Sequence, residues 1–190
     1  MSSVNIIRAV DNIRSGTNIY TPLVEVIVNA IQAIESTKSE NGLIEVSVVR
    51  THQSEIDDSL PEIDGFNVKD NGIGFTDANR EAFDTLYTDN KISEGGKGFG
   101  RFTCLKYFDD LLVESAFECE GIYKQRSFKM GKHNDIIVDE TIEPSDTETS
   151  GSTIRLVPIR KTKFPDKSLT IIARVLVERL LPYFFDEDRM

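Results

Sequence analysis

The stretch from Thr21 to Thr37, TPLVEVIVNAIQAIEST, constrains this chain most. Thr21-Pro22 starts a helix well, a capping hydroxyl followed by proline at the first helical position. At about 100° per residue, Glu25, Asn29, Gln32 and Ser36 fall within an arc of roughly 60°, and every other direction is mainly apolar. A surface helix shows a wide polar face. This one is nearly all core, so the chain must fold around it. Its narrow stripe of one acid and two amides must be satisfied by partners, water or a ligand. A thinly solvated outer edge of a buried helix also satisfies the pattern.

A second feature is Asp70-Asn71-Gly72-Ile73-Gly74-Phe75. Upstream, Gly65 to Lys69 alternates apolar and polar residues, which predicts a half-buried strand. The strand ends at a carboxylate. Two glycines at alternate positions then allow φ > 0 or a close backbone approach. Thr76-Asp77-Ala78-Asn79 caps a helix running to about Leu86. Asp70 is placed to accept a hydrogen bond from an amino group, and Gly72 and Gly74 leave room for a flat ring. Asn-Gly is also a strong turn dipeptide, so a plain loop is the competing reading.

A third feature is the segment Tyr87 to Gly100, polar at first and then glycine-dense at Gly95-Gly96-Lys97-Gly98-Phe99-Gly100. Arg101 to Phe108 reads as a helix entered straight from it. Glycines leading into a helix N-terminus make an anion site, because free N–H groups point outward and the helix dipole favours negative charge. Lys91, Lys97 and Arg101 add positive charge, which argues for a phosphate. Neither the Walker A ending nor the G-x-G-x-x-G spacing is present. A flexible surface loop is the alternative reading.

The remaining chain bounds these readings. Its 190 residues fit one domain with a trailing element. The net charge of −10 argues against a dedicated nucleic-acid or anionic-membrane binder while leaving room for a local basic patch. Cys104 and Cys119 are too few for a disulfide scaffold or metal cluster, which suits a reducing cytosol. No apolar run is long enough to span a bilayer. His52 and His133 have no ligand spacing around them. Residues 4–14 predict a short amphipathic helix, and 43–50 a strand. Residues 51–63 predict a solvated loop. Beyond 109 the chain turns β-rich, with strands over 110–117, 121–129 and 135–142 in a meander. A short strand over 151–158 opens on Gly151-Ser152-Thr153. Pro165-Asp166 starts a last helix through Leu180, with Leu169, Ile172, Val175, Leu176 and Leu180 as its apolar face.

Three motifs thus stand in order, with Gly151-Ser152-Thr153 as a fourth. The ordered set over about residues 5–158 resembles the ATP-binding domain shared by DNA gyrase B, Hsp90 chaperones, sensor histidine kinases and MutL repair proteins, the GHKL superfamily. The resemblance implies the Bergerat fold: an α+β two-layer sandwich with a mixed, mostly antiparallel sheet and helices packed on one face. It implies an ATP-binding domain over 1–160 with a lid at about 87–100, and a C-terminal helix over 161–190 leading to a further domain. It implies ATP and Mg²⁺ as ligands, with Asp70 accepting from the adenine amino group beside Gly72, Gly74 and Phe75. Asn29 would bind the metal, and Glu25 would be the general base that activates water. Lys91, Lys97, Gly98, Phe99, Gly100 and Arg101 would serve the phosphates. Ser152 stands where members usually have threonine, and Gln32 where many have Asp.

The activity so implied is Mg²⁺-dependent ATP hydrolysis, weak in an isolated domain because a cation from a following domain reaches the γ-phosphate in gyrase B, Hsp90 and MutL. Lid closure would drive homodimerisation or a downstream partner, with no part for membrane or for nucleic acid in this domain. A nucleotide-sensing module without turnover and a kinase-type domain are the alternatives. No phosphoacceptor histidine on a preceding helical hairpin supports the kinase.

Overall fold

The computed structural model describes residues 6–11, 13, 16–37, 39–51, 60–85, 100–160 and 163–185. In chain order the elements are α1 (Ile6–Asp11), α2 (Tyr20–Glu35), β1 (Ile44–Arg50), β2 (Ile63–Asp70), α3 (Asp77–Asp84), α4 (Gly100–Tyr107), β3 (Phe108–Cys119), β4 (Ile122–Met130), β5 (Ile137–Pro144), β6 (Gly151–Ile159) and α5 (Leu169–Phe184). The strands form one open sheet in the order β1-β2-β6-β3-β4-β5. Every pairing is antiparallel. The architecture is the expected α+β arrangement, without any parallel pair among the described strands. The meander of β3, β4 and β5 is as expected. The last strand, β6, returns to lie between β2 and β3.

Pleating puts alternate residues of each strand on one face. Phe66, Val68 and Asp70 of β2 stand opposite Leu156, Ile154 and Ser152 of β6. Those in turn face Leu111, Val113 and Ser115 of β3. Two rows across this face are apolar and belong to the core. The third is polar, and Arg126 of β4 extends it by pairing with Ser115. Helix α2 packs over this face, against β1, β2, α4 and α5. Leu23, Val26, Ile27 and Ala30 are buried, as an all-round apolar helix requires.

Two helix starts differ from expectation. The helix expected to start at Pro22 under a Thr21 cap begins at Tyr20, two residues earlier, because the Asn18 side chain holds its first turn. The Asn18 Oδ1 accepts from the Tyr20 N–H at 3.0 Å, and Thr21 Oγ1 turns back to accept from the Asn18 N–H at 3.1 Å. The last helix begins at Leu169 rather than Pro165 because tertiary contacts hold the preceding residues. Phe164 is buried against Tyr20 and Phe66, with ring centroids 4.8 and 4.9 Å apart. Asp166 accepts a 2.8 Å hydrogen bond from the Tyr20 hydroxyl. Leu169, expected in the apolar face, is exposed, while Ile172, Leu176 and Leu180 are buried. Phe164 and these three residues share one core with the sheet and α2. The third expected cap holds: Thr76 Oγ1 accepts from the Asn79 N–H at 3.2 Å at the start of α3.

Gly74 adopts φ +78°, and a Cβ there would collide with the Ala116 carbonyl of β3. Gly74→Ala therefore combines a left-handed backbone with a clash against main chain, a loss on the order of 2–4 kcal/mol. Urea denaturation should show the midpoint falling accordingly, and a wild-type midpoint would contradict this close approach.

Candidate nucleotide-binding site

The corner after β2 is seated directly on α2. A Cβ on Gly72 would lie 2.6 Å from the Ala33 carbonyl carbon and 2.8 Å from its Cβ. The Ile73 N–H donates to the Ala33 carbonyl at 3.0 Å. Ala33 is one step of four residues beyond Asn29 and two beyond Glu25, each step rising about 6 Å along the same side of the helix. The two first-read motifs therefore meet. Asn71 secures the seat from the other side. Its Oδ1 accepts from the Leu43 N–H and its Nδ2 donates to the Asn41 carbonyl, both at 2.8 Å.

Asp70 ends β2 with only 6% of its surface exposed. Its Oδ1 accepts from the Gly72 N–H at 2.9 Å. Burial raises its pKa above the ordinary value, and the N–H groups of Gly72 and Ser152 pull it back in part. Ser152 is directly across the β2–β6 ladder, equally buried, with its Oγ 3.1 Å from the Ser115 hydroxyl.

The polar stripe of α2 is real but uneven. From Tyr20 to Ile34, Asn29 is the one exposed position, while Glu25 and Gln32 are half-buried. Glu25 faces α4. The Cys104 thiol there is pushed up first by complete burial and then by the negative charge of Glu25. Gly100 opens α4, as the glycine-rich entry predicts. Lys91, Lys97, Gly98 and Phe99, and the lid expected at 87–100 apart from Gly100, lie outside the described residues.

Four expected ligand residues have structural work to do. Gly72 and Gly74, read as room for a ring, admit the protein's own main chain: Gly72 touches α2 and Gly74 touches β3. The Phe75 ring packs edge-on against Phe83 and Phe128, centroids 5.7 and 5.3 Å away. The Arg101 guanidinium donates to the carbonyls of Ala82 and Thr85 at the end of α3, at 3.3 and 3.0 Å, and lies over the Phe83 ring. Its charge thus meets the negative end of a helix.

Two residues of the polar row went unread in the sequence. Ser115 and Arg126 are 3% and 1% exposed. Arg126 Nη1 donates to the carbonyls of Phe75 and Thr76 at 2.6 and 3.0 Å, and Nη2 pairs with the Asp77 carboxylate. Its Nε lies 3.1 Å from Glu140, off hydrogen-bonding angle. The signal that would have found them is strand phase. Ser115 alternates with Val113 and Phe117, and Arg126 with Phe128 and Met130, so both are polar at inward positions.

The family model for histidine kinase-, DNA gyrase B- and HSP90-like ATPases matches residues 16–161. The chain belongs to this GHKL family. Among solved structures, the ATPase region of Saccharomyces cerevisiae topoisomerase II is similar at 17% identity and a TM-score of 0.56. The same region bound to ICRF-187 (dexrazoxane) is similar at 18% identity, again with a TM-score of 0.56. Each likeness covers 85% of this chain and 43% of the other, so the chain spans less than half the length of either relative. At these identities the likeness shows the GHKL fold. No curated protein matches the sequence. Among the described residues, no helix is long and apolar enough to cross a membrane.

The raised pKa of Asp70 has a definite sign. Between its ordinary value near 3.8 and the raised one, the folded protein holds a proton that the unfolded chain has lost. Asp70 therefore favours folding most at low pH, and that contribution is lost as pH rises through the raised pKa. Urea denaturation across pH 4 to 7 should show wild type gaining stability relative to Asp70→Asn as pH falls. A pH-independent difference would contradict the burial of the charge.

Proposed function

We propose that this GHKL domain binds ATP with Mg²⁺ and hydrolyses it. The observation that carries the reading is the seating of the Asp70 corner on α2 at Ala33, in line with Asn29 and Glu25. Asp70 supplies a fixed, buried acceptor suited to the adenine amino group. Its two N–H partners hold the carboxylate in place without using all its lone pairs.

Asn29 fits a metal carried on the nucleotide. Its amide is a hard oxygen donor at the one exposed position between Tyr20 and Ile34. Among the described residues no group of three His, Cys, Asp or Glu could hold an ion, so phosphate oxygens and water would complete the shell. Mg²⁺ bound there would neutralise charge on the phosphates. Glu25, one turn earlier and half-buried, orients the attacking water and takes its proton. The first turn of α4 turns N–H groups toward the phosphates. Residues 87–100 serve as the lid, and its closure favours a homodimer or a downstream domain in the cytoplasm.

The test separates the two ends of the site. Glu25→Ala should retain ATP affinity within about threefold and lose hydrolysis by at least about a hundredfold, as removal of a general base does. Asp70→Asn should lose binding itself. Calorimetry with ATP and an assay of phosphate release read the two effects. Wild-type affinity in Asp70→Asn would overturn the adenine assignment.

A further inference from the structure

We propose that Ser115 determines nucleobase choice by fixing which way the Ser152 hydroxyl points; the proposal rests on the ATP reading above. A serine hydroxyl has one proton and two lone pairs. Ser115 Oγ has three neighbours. The Phe75 N–H, at 2.8 Å, can only donate to it. The Gly151 carbonyl, at 2.9 Å, can only accept from it. That contact uses the one proton of Ser115. The third neighbour, Ser152 Oγ at 3.1 Å, must therefore donate its own proton to Ser115. Ser152 is left as an acceptor only.

Asp70 stands directly across the ladder from Ser152 and is also acceptor-only when ionised. The nucleobase end of the site thus offers acceptors from two adjacent strands, and neither Ser115 nor Ser152 has a hydroxyl proton to spare. That pattern suits a base edge carrying an amino group. It opposes one carrying a carbonyl at the same place, because two acceptors facing each other cannot pair directly, and both Asp70 and Ser152 are buried. Adenine and guanine differ in this respect.

The arrangement is held rigidly. Ser115 is 3% exposed, and the residue whose N–H it accepts, Phe75, is also held at its carbonyl by Arg126, whose Nη1 donates there at 2.6 Å. The missing Cβ of Gly74 would lie 2.9 Å from the Ser115 hydroxyl, so the corner and the hydroxyl are in direct contact. Ser115 acts through Ser152 and the corner, as a positioning residue.

The experiment measures the affinities of ATP, GTP and Mg²⁺-tripolyphosphate for the chain and for Ser115→Ala by calorimetry. In the variant the Ser152 hydroxyl is released and can donate to a carbonyl. The preference for ATP over GTP should shrink about tenfold, the scale of one hydrogen bond made or lost. Tripolyphosphate affinity should not change, which a general loss of structure would not spare. Should Ser115→Ala fail to fold by circular dichroism, Ser152→Ala carries the test. It removes the oriented oxygen and leaves Ser115 bonded to Phe75 and Gly151, and the same narrowing is expected. An unchanged ATP-to-GTP ratio in the folded variant overturns the role of Ser115 alone. A wild-type chain that binds neither nucleotide overturns the ATP reading instead.

Discussion

Gly72 rests on the main chain of α2, and the rest of the site follows from that contact. Any side chain at position 72 would push the corner away from the helix, because its Cβ would lie 2.6 Å from the Ala33 carbonyl carbon. With none there, the Ile73 N–H reaches the Ala33 carbonyl. A strand end and a helix that are separated by forty residues of sequence become one rigid unit. Asn71 reinforces it by holding the Asn41 carbonyl and the Leu43 N–H of the α2–β1 connection. A ligand meeting this unit would encounter groups already in place, so little ordering entropy would oppose binding.

The polar row Asp70, Ser152, Ser115 and Arg126 is the second organising feature. It continues the apolar rows of the inner face, so its members are buried by the same packing that buries Val68 and Val113. Burying a carboxylate, two hydroxyls and a guanidinium is unfavourable unless each finds partners. Here each does: Asp70 through N–H groups of Gly72 and Ser152, Ser115 through Phe75 and Gly151, and Arg126 through Phe75, Thr76 and Asp77. Most of these partners belong to the corner between β2 and α3. The row is therefore the floor on which that corner is built.

Charge elsewhere serves anchoring. Arg80 of α3 bridges Glu140 of β5 and Asp84 of its own helix at 2.9 and 2.8 Å. Arg101 of α4 binds the carbonyls of Ala82 and Thr85 at the C-terminal end of α3. Partly buried pairs of this kind hold geometry better than exposed ones, which contribute little. They hold the C-terminal half of α3, the helix that leads into the glycine-rich segment. Arg101 illustrates why counting positive residues near a phosphate motif overstates the charge on offer, since its guanidinium is already engaged.

The sequence alone was enough to mark α2 as buried, because an apolar surface on nearly every side admits no other placement. It also marked Asp70 as a strand-end acid, α4 as entered from glycines, and the β3–β5 meander, since helical and strand periodicities are local properties. It placed Thr76 as a cap for the same reason. Tertiary structure alone decided the rest. The insertion of β6 between β2 and β3 put Ser152 opposite Asp70, a pairing between residues eighty-two apart that no local pattern encodes. Packing against Tyr20 and Phe66 delayed the last helix to Leu169 and left that leucine exposed. The sequence marked Gly72 and Gly74 as places for positive φ or a close backbone approach, but only the tertiary structure decided that Gly72 meets α2 and Gly74 meets β3. Local periodicity reports which face of an element is apolar. Only the completed sheet determines which distant polar groups that face brings together.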